Sequence, residues 1–163
     1  MEEFRGVQRT LTFKQRNLAS PDKVFPLLCP VLELDWLDGW HYRMIHSVSG
    51  VAEENCVFAT PNHGTKETIW HITKHDAANH EVEFVRVTPE ESVVRINIKL
   101  SDSESGETDA FISYQYTGLN PEQNKYITNG LEKDFTQSME WWEKAINHYL
   151  KTGIKLMKTS TVA

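Results

Sequence analysis

The chain has 163 residues, of which 39% are hydrophobic and 25% are charged, a composition typical of a single globular domain. Its net charge of -6 argues against non-specific nucleic-acid binding, which requires a basic surface. No apolar run is long enough to cross a bilayer, and the N-terminus lacks the apolar core of a signal peptide. We therefore expect a cytoplasmic protein without membrane insertion, in which Cys29 and Cys56 are reduced and buried.

The chain begins with the pattern of one strand followed by short helices. Polar and apolar residues alternate over 5–14, which is typical of a strand with one buried face. Ser20 can cap a helix, and Pro21 suits its first position because proline needs no backbone hydrogen-bond acceptor there. The sequence therefore predicts short helices at 21–28 and 31–37.

Six strand-like runs separated by short turn signals come next. They cover residues 40–47, 55–60, 67–74, 82–88, 92–100 and 110–117. Short connections between consecutive strands favour an antiparallel meander. In the fifth of these runs, alternate residues from Val94 to Leu100 are apolar, whereas Arg95, Asn97 and Lys99 between them are polar. This alternation predicts a sheet with one buried face and one solvated face.

A long amphipathic helix is predicted over 129–152, with Asn129 and Glu132 as a capping box and Gly153 as the stop. A tail follows at 154–163. One face of the helix carries an apolar stripe with a single polar break: Leu131, Phe135, Ser138, Met139, Trp142, Ile146 and Tyr149.

Together these elements predict one α+β domain spanning 1–163. Its curved, seven-stranded antiparallel sheet wraps around the long C-terminal helix, and two short helices follow the first strand. Only one strand precedes the short helices, so we expect it to pair with the last strands of the meander.

The segment from Ser20 to Pro30, the following Trp36 and Trp40, and the closing segment from Trp142 to Leu150 resemble the START-like superfamily. This superfamily, also called SRPBCC, includes proteins of the birch-pollen-allergen and polyketide-cyclase type. The resemblance implies a helix-grip fold with a hydrophobic ligand cavity between the sheet and the C-terminal helix. It identifies no specific subfamily, and Gly50 alone does not form the glycine-rich stretch that is typical of the chaperone activators.

The aromatic residues are the first candidates for lining such a cavity, because tyrosine and tryptophan combine an apolar body with one polar tip. The alternative is an aromatic core around no cavity, and the strand face that points inward stays open at this stage. The candidates, with one methionine, are Trp36, Trp40, Tyr42, Phe58, Trp70, Phe84, Tyr114, Tyr116, Phe135, Met139 and Trp142.

Four polar residues within the strand runs are candidates for the cavity interior. Arg43 and Arg86 could meet a ligand carboxylate or carbonyl, or else form ion pairs on the outer face. His41 and His71 could act as a general acid or base if they point inward, although no spacing supplies an orienting partner. No catalytic residue is assigned.

Other polar motifs favour solvated surface over a site. His71 and His75 would lie about 13 Å apart along a strand, too far to share one metal ion. The acidic cluster of Glu33, Asp35 and Asp38 is interpreted as the solvated side of a short helical turn. The histidine spacing therefore predicts no metal site. No glycine-rich nucleotide motif is present, so no cofactor is expected either.

The function favoured by these observations is binding of a small apolar or amphipathic molecule. The alternatives are an enzyme of the polyketide-cyclase or dehydratase kind, which needs at least two polar groups converging in the cavity, and an interaction domain for a chaperone partner. Ligand binding without catalysis is favoured over the enzyme. A homodimer is possible, and no sequence feature requires it.

Overall fold

The computed structural model describes residues 2–159, which contain seven strands and four α-helices. The elements are β1 (Gln8–Asn17), α1 (Pro21–Val24) with a 3-10 turn at Phe25–Leu27, α2 (Glu33–Trp36), β2 (Arg43–His46), β3 (Val57–Pro61), β4 (Glu67–Asp76), β5 (Glu81–Thr88), β6 (Ser92–Asp102), β7 (Thr108–Gly118), α3 (Pro121–Asn129) and α4 (Leu131–Thr152).

All seven strands form one antiparallel sheet in the order β1-β7-β6-β5-β4-β3-β2. Strands β2 to β7 are a meander, and β1 closes the order by pairing with β7 from Gln8↔Thr117 to Asn17↔Thr108. The predicted pairing of the first strand with the late strands is confirmed. The predicted seven-stranded sheet, the short helices after β1 and the long C-terminal helix are confirmed as well.

Strand β6 shows how the sheet separates its two faces. Val94, Ile96, Ile98 and Leu100 are buried, whereas Arg95 and Lys99 between them are exposed. In the adjacent strand β5, the residues that share the inner face are Val82, Phe84, Arg86 and Thr88, because Phe84 pairs with Ile96 and Arg86 with Val94. The even-numbered residues of these strands therefore face α4.

Helix α4 lies across this inner face with its apolar stripe buried. Leu131, Phe135, Met139 and Ile146 are all at most 5% exposed. The helix ends at Gly153, whose φ of 72° is left-handed and whose N–H donates to the carbonyl of Tyr149 at 2.7 Å. The predicted stop is confirmed. None of the helices within residues 2–159 is both long enough and apolar enough to span a membrane.

The predicted start of the long helix is wrong, because a separate helix precedes it. Asn120 caps α3 by accepting a hydrogen bond from the N–H of Gln123 at 2.7 Å, and Pro121 occupies its first position. Asn129 is the last residue of α3 and forms no capping box with Glu132, which instead pairs with Arg9 at 2.6 Å.

Two strand boundaries also differ from their predictions. β1 runs over 8–17 instead of 5–14, because Gln15 and Asn17 continue its inward row as buried polar residues. β2 covers only 43–46 of the predicted 40–47. Trp40 lies in the turn before it and donates through Nε1 to the carbonyl of Pro30 at 2.8 Å. Of the predicted tail, residues 160–163 lie outside the described part of the chain.

Candidate functional site

A cavity of about 240 Å³ lies between the inner face of the sheet, helix α2 and helix α4. A wider depression of about 520 Å³ on the outer face is bordered by solvent-facing side chains such as Lys14 and Lys99. The inner cavity is the candidate site because apolar walls and a few convergent polar groups meet there. Its lining residues are Glu33, Leu37, Trp40, Phe58, Trp70, Phe84, Arg86, Ile96, Ile98, Tyr114, Ser138, Met139, Trp141 and Trp142.

Aromatic rings form one wall of the cavity, and Trp70 is at its centre. Strand pairing places Phe58 opposite Trp70, so the two rings stack with centroids 5.4 Å apart and an interplanar angle of 14°. Trp40 and Phe84 meet Trp70 edge-on at 6.1 and 5.9 Å. Trp70 Nε1 donates to Thr60 Oγ1 at 2.9 Å, so the protein satisfies this indole and the wall is predominantly apolar.

Arg86 brings a positive charge into this aromatic cavity. The register aligns Trp70, Arg86 and Val94 across three strands, and the guanidinium carbon lies 5.2 Å from the Trp70 ring centroid. It also lies 5.7 and 5.8 Å from the rings of Tyr114 and Tyr116. Its Nη2 donates to the Tyr116 hydroxyl at 3.2 Å. Within residues 2–159 no carboxylate forms an ion pair with Arg86, so most of its donors have no protein partner.

Glu33, the first residue of α2, contributes a carboxyl group to the cavity. No side-chain hydrogen bond or ion pair to this carboxyl is present among residues 2–159. Burial raises the pKa of Glu33 from 4.5 to about 8, because the surroundings solvate the ionised form poorly. The carboxyl is therefore mostly protonated at neutral pH and can donate a hydrogen bond.

Tyr114 adds a hydroxyl group from β7. Its ring packs edge-on against Phe135 at 5.2 Å, and its hydroxyl has no hydrogen-bond partner among the described residues. Burial raises the pKa of Tyr114 well above its ordinary value, while the charge of Arg86 opposes that shift. The hydroxyl consequently stays protonated, and Glu33, Arg86 and Tyr114 all offer donors to one space.

The segment after α4 runs beside the cavity. Leu156 forms a parallel bridge with Leu37, a lining residue, and the N–H of Lys158 donates to Asp38 at 2.9 Å. The Lys158 ammonium lies 5.5 Å from the ring centroid of Trp141, another lining residue. The Nε1 of Trp141 is buried and has no hydrogen-bond partner among residues 2–159.

The structure distributes the predicted aromatic candidates between the cavity and the core next to it. Trp36 is fully buried and its ring lies 5.7 Å from that of Trp142. Phe135 packs against Tyr114, and Tyr116 accepts a hydrogen bond from Arg86. Neither Phe135 nor Tyr116 lines the cavity itself. Tyr42 packs against the core without lining the cavity. The predicted residues that line it are Trp40, Phe58, Trp70, Phe84, Arg86, Tyr114, Met139 and Trp142.

Three of the four polar candidates lie outside the cavity, which corrects the prediction for them. Arg43 points outward because Met44 is the β2 residue that faces Phe58, and its Nη2 binds Glu67 at 2.7 Å. His71 alternates with the inward Trp70 and is exposed, and His41 is exposed before β2 begins. Only Arg86 of this group lines the cavity.

Six lining residues are not among the predicted candidates, and Glu33 is the most consequential of them. The acidic cluster was interpreted as a solvated face, and this holds for the exposed Asp35 and is wrong for Glu33. A signal was present, since Glu33 lies three residues before the buried Trp36 and thus on the same side of a helix. The others are Leu37, Ile96, Ile98, Ser138 and Trp141.

The cysteines and metal-ligating side chains form no second centre in the described chain. Cys29 and Cys56 are both free and buried. Residues 2–159 contain no group of three or more histidine, cysteine, aspartate or glutamate side chains arranged to hold a metal ion.

Comparison with known proteins finds similarity in structure alone. The chain matches no protein-family model and no curated protein sequence. Among solved structures, Ara h 8.0201 is 16% identical with a TM-score of 0.63, covering 90% of this chain and 99% of its own. Norcoclaurine synthase from Thalictrum flavum is 14% identical with a TM-score of 0.66, covering 91% and 89%.

A protein of unknown function from Staphylococcus aureus is similar to the same extent, with 12% identity, a TM-score of 0.68 and coverage of 91% and 96%. At these identities the likeness concerns the fold, and it extends over nine-tenths of the chain. The helix-grip architecture that the sequence resemblance implies is thereby confirmed at the level of the fold.

Proposed function

We propose that this protein binds a small, largely apolar molecule in the inner cavity, with a hydrogen-bond acceptor of that molecule facing Arg86. The observation that carries the proposal is the Arg86 guanidinium, which lies among three aromatic rings with a tyrosine hydroxyl as its only polar partner within residues 2–159. A guanidinium stays charged in proteins, and a charge in apolar surroundings is costly without partners. A ligand acceptor would supply them.

The size and shape of the cavity favour a small flat ligand. Its volume of about 240 Å³ is below the usual range of roughly 300–1,000 Å³ for ligand pockets. The rings of Trp40, Phe58, Trp70 and Phe84 line the cavity, and aromatic walls suit an aromatic ligand. A bicyclic aromatic compound is therefore a better candidate than a sterol.

A solved structure with the same fold supports an aromatic ligand by analogy. Norcoclaurine synthase from Thalictrum flavum has been crystallised in complex with dopamine and hydroxybenzaldehyde, both single-ring aromatic molecules. That protein is 14% identical to this chain, so the analogy extends to the fold and to no particular contact.

Isothermal titration with 2-naphthoate and its neutral isostere 2-naphthamide tests the proposal. We expect saturable one-to-one binding of at least one probe to the wild-type protein. Arg86→Gln should weaken that binding about tenfold or more, because hydrogen bonds from a charged donor are lost. The control Arg95→Gln removes an outward arginine of the adjacent strand and should leave the affinity within about twofold. Absence of saturable binding of both probes would contradict the proposal.

A second candidate function is proton transfer on a carbonyl compound, as in an enzyme of the polyketide-cyclase or dehydratase kind. Glu33 favours it, because a carboxyl with a pKa of about 8 can exchange protons near neutral pH. The test is deuterium exchange at the α-carbons of 2-tetralone, followed by NMR. Catalysed exchange that is lost in Glu33→Gln supports this function, and exchange at the buffer rate excludes it for this probe.

The third alternative, an interaction domain for a chaperone partner, would be favoured by a fully packed interior. The inner cavity counts against it.

A further inference from the structure

The arginines of this chain differ in whether they have a counter-ion. Arg9, Arg16, Arg43 and Arg95 each lie within 2.9 Å of a carboxylate oxygen at the protein surface. Arg86 lies inside the cavity and forms no ion pair within residues 2–159. Arg5 is exposed and also has no ion pair within residues 2–159. Of the two half-buried arginines, Arg9 has a carboxylate partner and Arg86 has none, and the adjacent cavity is the space where an anion can bind.

Glu33 is the only acidic residue that lines the cavity within residues 2–159, and its carboxyl does not fill that role. Glu33 and Arg86 both line the cavity, yet no ion pair joins them. Two opposite charges in a poorly solvated space attract each other strongly, so ionised Glu33 would gain from pairing with Arg86. The unpaired arrangement fits a carboxyl that keeps its proton and leaves the guanidinium available.

We infer that the ligand is a small apolar monoanion, such as an aromatic carboxylate or enolate, whose charged oxygen is held by Arg86, the Tyr114 hydroxyl and the carboxyl of Glu33 as donors. This inference rests on the proposed function and specifies the ligand class for the same cavity. All three groups donate, and their summed charge is positive when Glu33 is protonated. An anion is therefore favoured over a neutral isostere and over a cation.

Charge balance in the cavity then depends on Glu33. The other titratable groups that line the cavity are Arg86 on β5 and Tyr114 on β7. Tyr116 contacts Arg86, and Asp38 and Lys158 lie beside the lining residues Leu37 and Trp141. The cavity residues from α4 are Ser138, Met139, Trp141 and Trp142, none of which titrates. Ionisation of Glu33 would neutralise the cavity and repel the anion.

The first test compares three probes that share the naphthalene ring and carry substituents of different charge: 2-naphthoate, 2-naphthamide and 2-naphthylmethylammonium. Isothermal titration at pH 7 should give binding of 2-naphthoate about tenfold tighter than that of the amide, because charge-assisted hydrogen bonds are about twice as strong as neutral ones. Equal binding of the amide would overturn the inference while the proposed function stands, whereas tighter binding of the ammonium probe, which has no hydrogen-bond acceptor, would overturn both. Failure of all three probes would instead refute the proposed function.

The second test follows the affinity for 2-naphthoate from pH 6 to pH 9.5, a range in which the probe stays ionised. Wild-type affinity should be constant at the lower end and fall about tenfold or more above pH 8 as Glu33 ionises. Glu33→Gln should lose this decline, whereas the control Asp35→Asn, which changes an exposed acid of the same helix, should keep it. An equal decline in Glu33→Gln would overturn the role of Glu33. Near-UV circular dichroism checks that each variant is folded, and the wild-type profile is informative by itself.

Discussion

The two faces of the sheet place arginine in opposite surroundings. On the outer face, Arg95 of β6 binds Glu83 of β5 with its Nε at 2.8 Å and remains in contact with water. On the inner face, Arg86 of β5 lies over Trp70 and has no carboxylate partner in the described chain. Arg95 pairs with Val85, the residue directly before Arg86, on the same two adjacent strands. A one-residue step in a strand therefore separates a surface ion pair from a candidate binding group.

Neighbouring residues of β7 should give the largest difference between the two faces. Ile112 is 2% exposed on the inner face, and Phe111 is 49% exposed on the outer face. We expect Ile112→Ala to lower the free energy of unfolding by about 2–5 kcal/mol, because it leaves a cavity in the core. Phe111→Ala should cost less than about 1 kcal/mol. Urea unfolding measures the free energy of unfolding of both variants. Similar losses in the two variants would contradict the assignment of Ile112 to a buried face and Phe111 to a solvated face.

The pH dependence of stability should report the inner carboxyl. The pKa of Glu33 is about 8 in the folded chain against an ordinary value of 4.5. Between these values the unfolded chain ionises while the folded chain keeps the proton, so Glu33 lowers stability progressively as pH rises and its effect levels off above 8. The total is of the order of 5 kcal/mol.

Urea unfolding of the wild type and Glu33→Gln at pH 5 and pH 8.5 checks this sign. Relative to the wild type, the variant should be several kcal/mol more stable at pH 8.5 than it is at pH 5. Asp35→Asn is the matched control and should show no such gain. A constant difference between the wild type and Glu33→Gln would mean that Glu33 titrates normally.

The outer ion pair should give the smallest effect. Arg95→Gln removes the contact with Glu83 and should lower the free energy of unfolding by at most about 1 kcal/mol, since solvent screens exposed pairs. The loss should shrink further in high salt. A large, salt-independent loss would show that the outer face contributes more to stability than its exposure indicates.

The fold was predictable because its elements have clean periodicities. The alternation from Val94 to Leu100 and the stripe from Leu131 to Ile146 each follow from one buried face. Helix α3 was missed although Asn120 and Pro121 form a helix start, because its nine residues carry little apolar periodicity and bury only Ile127. Gly130 then separates it from α4.

The site was less predictable, because burial of a polar side chain depends on strand parity and on packing between distant elements. Arg43 and Arg86 both occupy strand runs, and only the observed register shows that one points outward and the other inward. Glu33 belongs to a four-residue helix whose surroundings come from the sheet and α4. No local pattern specifies such surroundings.

The most direct test of the central claim, that Arg86 receives the charged group of the ligand, is NMR of the arginine side-chain N–H groups during titration with 2-naphthoate. We expect a saturable shift of the Arg86 Nε–H resonance while the Arg95 resonance stays in place. An unchanged Arg86 resonance at saturating probe, or an equal shift at Arg95, would contradict it.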